Sequence, residues 1–370
     1  MSASPAPGSR IEGGRRQDPI PVAVVGATGY VGAELIRLLA RHPGVRIVGL
    51  VGRGRDDEPI GRTHAHLAST GLAVDDSVPD EAEAVFLALP HGVAADLVPG
   101  FRDRGLTTID LGPDFRLRSP ADYPRWYGFE HPRPDLLEVA IYGLPELHRE
   151  DLVVAAADGP AIVGAPGCYP TATLLALAPL ARAGLIADLV VDAKSGVSGA
   201  GREPKAELHY GEVNESVRAY GIGGHRHTAE LEQELGRLGE VGTGSASANP
   251  GASGVDFLPH LVPMTRGILS ACHVRPTRPV DQAELDALYA AAYGGESFVD
   301  VVAEPPATKQ VLGSNHARVF VRADERTGRV LAIGVIDNLV KGAAGQAIQA
   351  FNVVVGLPEA TGLEQLPLAP

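Results

Sequence analysis

One cysteine in this chain stands where cysteines become nucleophiles. Cys168 lies in Gly164-Ala165-Pro166-Gly167-Cys168-Tyr169-Pro170-Thr171, between a strand-like apolar run (Leu152 to Val163) and a helix-like run (Thr171 to Arg182). Pro170 suits the first turn of a helix, where its missing N–H is not needed. Cys168 then meets the free N–H groups and the positive end of that helix. Such a setting lowers a thiol pKa from about 8.5 toward neutrality, and the thiolate is the attacking species. The competing reading is a buried small hydrophobe, the common fate of a free cysteine. Cys272, in the strand-like run Ile268 to Val274, lacks comparable neighbours and takes that structural reading.

A second stretch supplies a redox partner. The strand Pro21 to Val25 runs into Gly26-Ala27-Thr28-Gly29-Tyr30-Val31-Gly32. A helix pattern follows (Val31, Leu35, Leu38, Leu39), and then a second strand, Val45 to Val51. In such a β-G-x-x-G-x-x-G-α-β unit the glycines turn tightly and bring backbone against a pyrophosphate on the helix N-terminus. Contacts to a dinucleotide are expected from Gly26, Thr28, Gly29, Tyr30, Val31 and Gly32. An NAD-selective site carries Asp or Glu after the second strand; this chain has Arg53 and Arg55, which suit the 2′-phosphate of NADPH. The plainer alternative is two solvated loop arginines.

Two further stretches carry polar chemistry. His225-Arg226-His227 offers imidazoles that titrate near neutral pH and handle protons. An extended backbone there would turn Arg226 away from its two neighbours. Lys194-Ser195-Gly196-Val197-Ser198-Gly199-Ala200-Gly201-Arg202 is a Gly/Ser loop between cations, fit to hold an anion, or else a linker. Tyr-x-x-x-Lys is absent, and no zinc spacing is present, so no metal is expected. A cysteine with NADPH points to thioester chemistry between acid and aldehyde levels.

The elements that position these residues fall into two patterns. Ala84 to Leu89 reads as a strand, Pro90-His91-Gly92 as a turn, Val93 to Phe101 as a helix and Thr107 to Leu111 as a strand. Repeated βαβ units imply a Rossmann-type doubly wound parallel sheet. The stretch from Asp114 to Pro134 reads as a long loop, a kind often functional. Beyond Cys168 come a strand at Leu189 to Ala193, a helix capped by Thr228, a surface loop at Gly239 to Ser253, and strand-and-turn alternation over Asp256 to Val274 and Arg318 to Val335. These imply an α+β domain with a mixed or antiparallel sheet. Ile336 to Ala347 leads into a small-residue helix that returns to the first domain. The expected division is a disordered tail at 1–19, an NADP-binding domain of 20–168 and 336–370, and a catalytic and dimerisation domain of 169–335.

Composition narrows the function classes. The chain has 370 residues, 45% hydrophobic and 21% charged, which suits a globular enzyme. Its net charge of −13 argues against nucleic acid or an anionic membrane as the main partner. Two cysteines make no disulfide framework and suit a reducing cytoplasm. No apolar run approaches the length of a membrane span. A homodimer or homotetramer is expected.

Taken together, the motifs are specific. Gly26 to Gly32, Asp114-Phe115-Arg116-Leu117, Tyr142-Gly143-Leu144-Pro145-Glu146, Pro166 to Thr171, Ser195 to Arg202, His225 to Thr228 and Asp337-Asn338-Leu339-Val340-Lys341-Gly342-Ala343 resemble the N-acetyl-γ-glutamyl-phosphate reductases. These are the arginine-biosynthesis relatives of aspartate-semialdehyde dehydrogenase, and the resemblance spans roughly residues 20 to 358. It implies NADPH-dependent reduction of N-acetyl-L-glutamyl 5-phosphate to the 5-semialdehyde with release of phosphate. Cys168 would be the nucleophile and His225 the acid/base, with His227 close behind. Pro90, His91 and Asn338 would join Arg53 around the cofactor. Arg116, Lys194, Ser195, Ser198 and Arg202 would hold the substrate and its phosphate. Two departures stand out: Ala165 where the family often has Asn, and Ala229 where it often has Pro. The first removes a side chain but leaves backbone N–H groups near Cys168 to hold an oxyanion. Competing readings are an aspartyl- or aminoadipyl-phosphate-type semialdehyde dehydrogenase and, in another class, a non-catalytic NADPH-binding sensor with Cys168 as a redox switch.

Overall fold

The computed structural model describes residues 18–54, 56–155, 159–243 and 254–368. The expected tail, apart from its last two residues, therefore lies outside the described residues, as do Arg55 and positions 244–253 of the expected surface loop.

Short β-branched runs separated by amphipathic helices build the first sheet. Its six strands are all parallel, in the order Val45–Val51, Ile20–Val25, Ala84–Leu87, Thr107–Asp110, Ile162–Gly164, Ala140–Tyr142. Helix Tyr30–Leu39 covers one face with Leu35, Ile36, Leu38 and Leu39, and helix Ala94–Asp103 covers the other with Ala94, Ala95 and Val98. The C-terminal segment also packs on the first face, through Ala347, Ile348, Phe351 and Val354 of helix Gly345–Val354. Such two-sided cover explains why the strands read as continuous apolar runs.

The second sheet has seven strands, in the order Arg218–Ala219, Asp256–Leu261, Asp188–Ser195, Ile268–Arg275, Arg329–Ile336, Ala317–Asp324, Val299–Val301. It is mixed: Asp188–Ser195 pairs in parallel with Asp256–Leu261 and antiparallel with Ile268–Arg275. Alternating burial along Asp188–Ser195 turns Leu189, Val191, Ala193 and Ser195 to one face. Helix Cys168–Arg182 lies on that face, with every residue from Tyr169 to Ala181 buried. Helix His227–Thr243 packs beside it, and Leu231, Leu235 and Leu238 join the same core.

Three segments differ from expectation. The apolar run Leu152 to Val163 is not one strand: helix Pro145–Ala155 takes its start and strand Ile162–Gly164 its end. A short apolar run does not distinguish the two states by periodicity. The helix expected to be capped by Thr228 begins at His227, and it extends through Thr243 into the expected loop. The 114–134 stretch is not structureless; it carries the short helix Asp122–Trp126 and leads into Pro134–Leu137. Among the described residues, no helix is long and apolar enough to cross a membrane.

Candidate active site

Cys168 sits where the two sheets meet. Strand Ile162–Gly164 ends inside the first sheet, and within four residues the chain enters the buried helix against the second. Gly167 is the N-cap, extended at φ −65° and ψ 152°. Pro170 occupies the first turn, where a missing N–H costs nothing. The approach to the cysteine is clamped from the first sheet. Ala165 N–H donates to the Asp110 carbonyl at 2.8 Å, and Arg116 Nε donates to the Ala165 carbonyl at 2.7 Å.

Glu230 is the hub of the site. It is fully buried, three residues into the helix that His227 begins. Its carboxylate accepts from Gly167 N–H at 2.9 Å, from Tyr142 Oη at 2.9 Å and from Arg116 Nη1 at 3.1 Å. It also lies 3.9 Å from His227 Nε2. One side chain thus gathers four separated motifs: the cysteine turn, Tyr142, Arg116 and the histidine stretch. Burial opposes the charge on Arg116, but Glu230 and the groups around it hold the guanidinium firmly protonated. Sequence reasoning gave Glu230 no role. Its signal was an acid one helical turn from His227, next to the stripe of Leu231, Leu235 and Leu238 that enters the core.

The histidines close on Gly167 and Tyr169, the residues either side of the cysteine. A β-carbon placed on Gly167 would come within 2.5 Å of His227 Nε2, so only glycine lets that ring approach the residue before Cys168. The His225 and His227 rings lie 4.8 Å apart, and Tyr169 is in edge contact with both. His225 Nδ1 accepts the His227 backbone N–H at 3.2 Å, so its neutral ring carries the proton on Nε2. Burial pushes His225 down to about 4, helped by Arg226. Burial also holds His227 well below its ordinary value, with His225, Arg116 and Arg226 acting in the same direction. Both imidazoles are neutral at pH 7. His227 Nδ1 is buried without a hydrogen-bond partner.

The thiol departs from expectation. Burial pushes Cys168 up to about 11, against the opposing pull of Arg116, the Tyr169 N–H and Arg226. Cys168 is only half-buried, yet the solvent it loses outweighs the helix terminus, and the resting sulfur is a thiol. Gly342 packs against the cysteine: a β-carbon there would meet the Cys168 β-carbon at 2.8 Å. The oxyanion expectation also narrows. Gly167 N–H is committed to Glu230, which leaves the N–H groups of the first helical turn.

The glycine turn has the form expected for a pyrophosphate. Gly26 has φ +86°, and a β-carbon there would strike the Ala88 carbonyl oxygen at 2.2 Å. A β-carbon on Gly32 would strike the Gly26 carbonyl oxygen at 2.3 Å. Helix Tyr30–Leu39 can therefore start directly on the turn, and bare backbone fits a dinucleotide phosphate there. Thr28 Oγ1 accepts from Arg53 N–H at 3.2 Å. The Arg53 guanidinium is paired with Glu203. Pro90 and His91 lie in the neighbouring turn, which Asp114 braces by accepting Gly92 N–H at 2.8 Å and Ala95 N–H at 3.0 Å.

The remaining expected residues separate. Arg202 lies against the glycine turn, its Nη1 3.4 Å from the Thr28 carbonyl, rather than beside the substrate groups. Lys194 Nζ is paired with Asp192 at 2.6 Å. Ser195 Oγ donates to the Gly196 carbonyl at 3.0 Å. Asn338 donates to Ser198 Oγ at 2.9 Å and accepts Gly267 N–H at 2.7 Å, which ties the Gly/Ser loop to the C-terminal motif. Arg226, expected to face away, reaches the His91 ring and bears on Cys168 electrostatically. Among the described residues, one carboxylate cluster has metal-like spacing (Glu146, Glu296, Glu359), but Lys341 and Arg149 are paired with it.

Comparison with known proteins agrees with this geometry. The family described as "Semialdehyde dehydrogenase, NAD binding domain" matches residues 21–155, and "Semialdehyde dehydrogenase, dimerisation domain" matches 168–338. The N-acetyl-gamma-glutamyl-phosphate reductase of Heliobacterium modesticaldum is 47% identical over 366 residues, covering 95% of this chain and all of the relative. That of Moorella thermoacetica is 44% identical over 360 residues with the same coverage. Among solved structures, aspartate semialdehyde dehydrogenase II of Vibrio cholerae shares the fold at a TM-score of 0.66 and 19% identity, over 92% of this chain and 99% of that one. The aspartate semialdehyde dehydrogenase of Candida albicans, solved with NADP, does so at 0.67 and 18%, over 91% and 98%.

Proposed function

The chain belongs to the N-acetyl-γ-glutamyl-phosphate reductases of the semialdehyde dehydrogenase family, and from that premise we propose how its residues carry the reaction. The reaction is reduction of N-acetyl-L-glutamyl 5-phosphate to the 5-semialdehyde with release of phosphate, a step toward arginine. The observation that carries the assignment is Cys168 at a helix start, with neutral imidazoles on one side and the Glu230–Arg116 clamp on the other.

Cys168 is the acyl acceptor. Because its resting form is a thiol, the attack needs a base rather than a standing thiolate. His227 takes the thiol proton; Glu230, 3.9 Å from its Nε2, favours the imidazolium that forms. His225, with its proton on Nε2, is the second proton carrier and serves the thiohemiacetal as it collapses to aldehyde. The N–H groups of the first turn of helix Cys168–Arg182 face the developing oxyanion. Gly26, Thr28, Gly29, Tyr30, Val31 and Gly32 would hold the dinucleotide, with Pro90, His91 and Asn338 bordering it. The bound cofactor supplies a hydride to the thioester carbonyl.

NADPH is preferred over NADH in this reading, because Arg53 borders the glycine turn at the position where an acid would mark NAD. The chain divides into a cofactor domain (20–168 with 336–370) and a catalytic domain (169–335) that associates as a homodimer or homotetramer in the cytoplasm. The acyl-phosphate screen tests the substrate: N-acetylglutamyl, aspartyl and aminoadipyl phosphates are compared with each cofactor. Fastest turnover of the N-acetylglutamyl compound with NADPH is expected. Faster turnover of aspartyl phosphate would overturn the substrate assignment.

A further inference from the structure

A phosphate leaving this site needs a cation with unused donors, and the sequence offers four. Arg116 is already neutralised and anchored: Nε is held by the Ala165 carbonyl, Nη1 by Glu230 and Nη2 by the Leu111 carbonyl at 2.8 Å, which leaves one N–H on each terminal nitrogen. Lys194 is paired with Asp192, and Arg202 is against the glycine turn. Arg226 differs. Among the described residues it has no carboxylate partner, and its Nη1 alone is engaged, by the His91 ring. Burial, with Arg226 and Arg116 nearby, pushes His91 down to about 4, so that ring is neutral and leaves the guanidinium charge uncompensated.

A second group points into the same space. The Tyr127 hydroxyl is buried, with the Arg116 cation close enough to donate to its oxygen and no acceptor for its own proton. Its ring is in edge contact with His91 at 5.8 Å between centroids. A buried phenol proton without an acceptor is costly unless a ligand completes it. Three segments far apart in the chain thus converge: the 90–92 turn, the long 114–134 stretch and the histidine stretch. They bring an uncompensated guanidinium and an orphan hydroxyl donor together near Cys168.

We infer that Arg226 and Tyr127 form the subsite for the transferred phosphate. The inference rests on the acyl-phosphate reading above. As the Cys168 sulfur–carbon bond forms, the bond between the acyl carbon and the phosphate oxygen breaks, and its electron pair leaves on that oxygen. The proton removed from the thiol passes through the histidines to the departing group, which leaves as hydrogen phosphate. Arg226 donates through Nε and Nη2, and Tyr127 through its hydroxyl, to the phosphate oxygens where that charge accumulates.

The reverse reaction isolates the subsite, because inorganic phosphate is then a separate substrate. With N-acetylglutamate semialdehyde and NADP+, Arg226→Gln raises KM for inorganic phosphate roughly 10- to 100-fold, as loss of a charge-assisted hydrogen bond implies. Tyr127→Phe raises it about fivefold. KM for NADP+ and for the aldehyde stays within about twofold of wild type. Acylation of Cys168 by p-nitrophenyl acetate, which carries no phosphate, falls by a smaller factor in Arg226→Gln than the phosphate KM rises, because that cation also bears on Cys168. If Arg226→Gln fails to fold, Arg226→Lys and Tyr127→Phe decide by the same measurements. An unmoved phosphate KM, or an equal rise in KM for NADP+, overturns the inference. A wild-type enzyme inactive toward the semialdehyde would instead overturn the functional reading itself.

Discussion

The surroundings of the two cysteines differ both in exposure, Cys168 being half-buried and Cys272 fully buried, and in company. Cys272 lies mid-strand in Ile268–Arg275, flanked by strands on both sides, inside the core beneath helix Cys168–Arg182. Its sulfur is 3.6 Å from Ser270 Oγ, and burial pushes its thiol up to about 12. Burial pushes Cys168 up as well, to about 11. The resting ionisation of the two thiols is therefore nearly alike. What separates them is that Cys168 has two cations, two neutral imidazoles and a helix N-terminus around it, delivered by three segments: Arg116, the His225-Arg226-His227 stretch and the cysteine's own helix. In the proposed reaction, a nucleophile is defined by where its proton can go and where charge can be received.

Substitution makes the largest contrast. Cys168→Ala should lower kcat for acyl-phosphate reduction on the order of 10⁴-fold or more, with NADPH binding retained by fluorescence titration. Cys272→Ala should leave kcat within about twofold and cost about 1 kcal/mol in urea unfolding, the effect of a small cavity. Equal losses of kcat would erase the distinction.

Alkylation sharpens it next. Because the Cys168 pKa is raised, its thiolate fraction grows with pH until the pH passes about 11. The iodoacetamide rate at Cys168 in the free enzyme should rise about tenfold per pH unit from pH 7 to 10, roughly 10³-fold in all. Cys272 should stay unlabelled in the folded protein over the same range. A rate plateau near neutrality would restore the low-pKa thiolate that the helix terminus alone suggests.

The smallest perturbation is a single methyl. Gly167 is extended, so alanine suits its backbone, but its β-carbon would meet His227 Nε2. Gly167→Ala should therefore keep the fold while lowering kcat about 10²-fold, the scale of a displaced catalytic group. Near-normal turnover would separate His227 from the chemistry.

How much was legible in the sequence follows from contiguity. The glycine turn and its flanking strands are local, and strand Val45–Val51 has the expected bounds. Cys168 and Pro170 at a helix start are equally local. Glu230, Tyr142 and Tyr127 could not be placed, because their roles exist only where separated segments meet. Arg116 was visible as a cation, but that three partners hold it in place was not. The direction of the thiol pKa failed for a related reason. A helix terminus is written in local sequence, whereas the packing of Gly342 and the histidines around Cys168 is a property of the assembled chain.

The central claim is that Cys168 accepts the acyl group with the help of its assembled neighbours. Incubating the enzyme with N-acetylglutamyl phosphate in the absence of reductant, quenching in acid and mapping peptides by mass spectrometry tests it directly. The account predicts an N-acetylglutamyl thioester on the peptide containing Cys168, none on that containing Cys272, and loss of the adduct when NADPH is added before quenching. Stoichiometric NADPH oxidation with no adduct at Cys168 under any quench would contradict it.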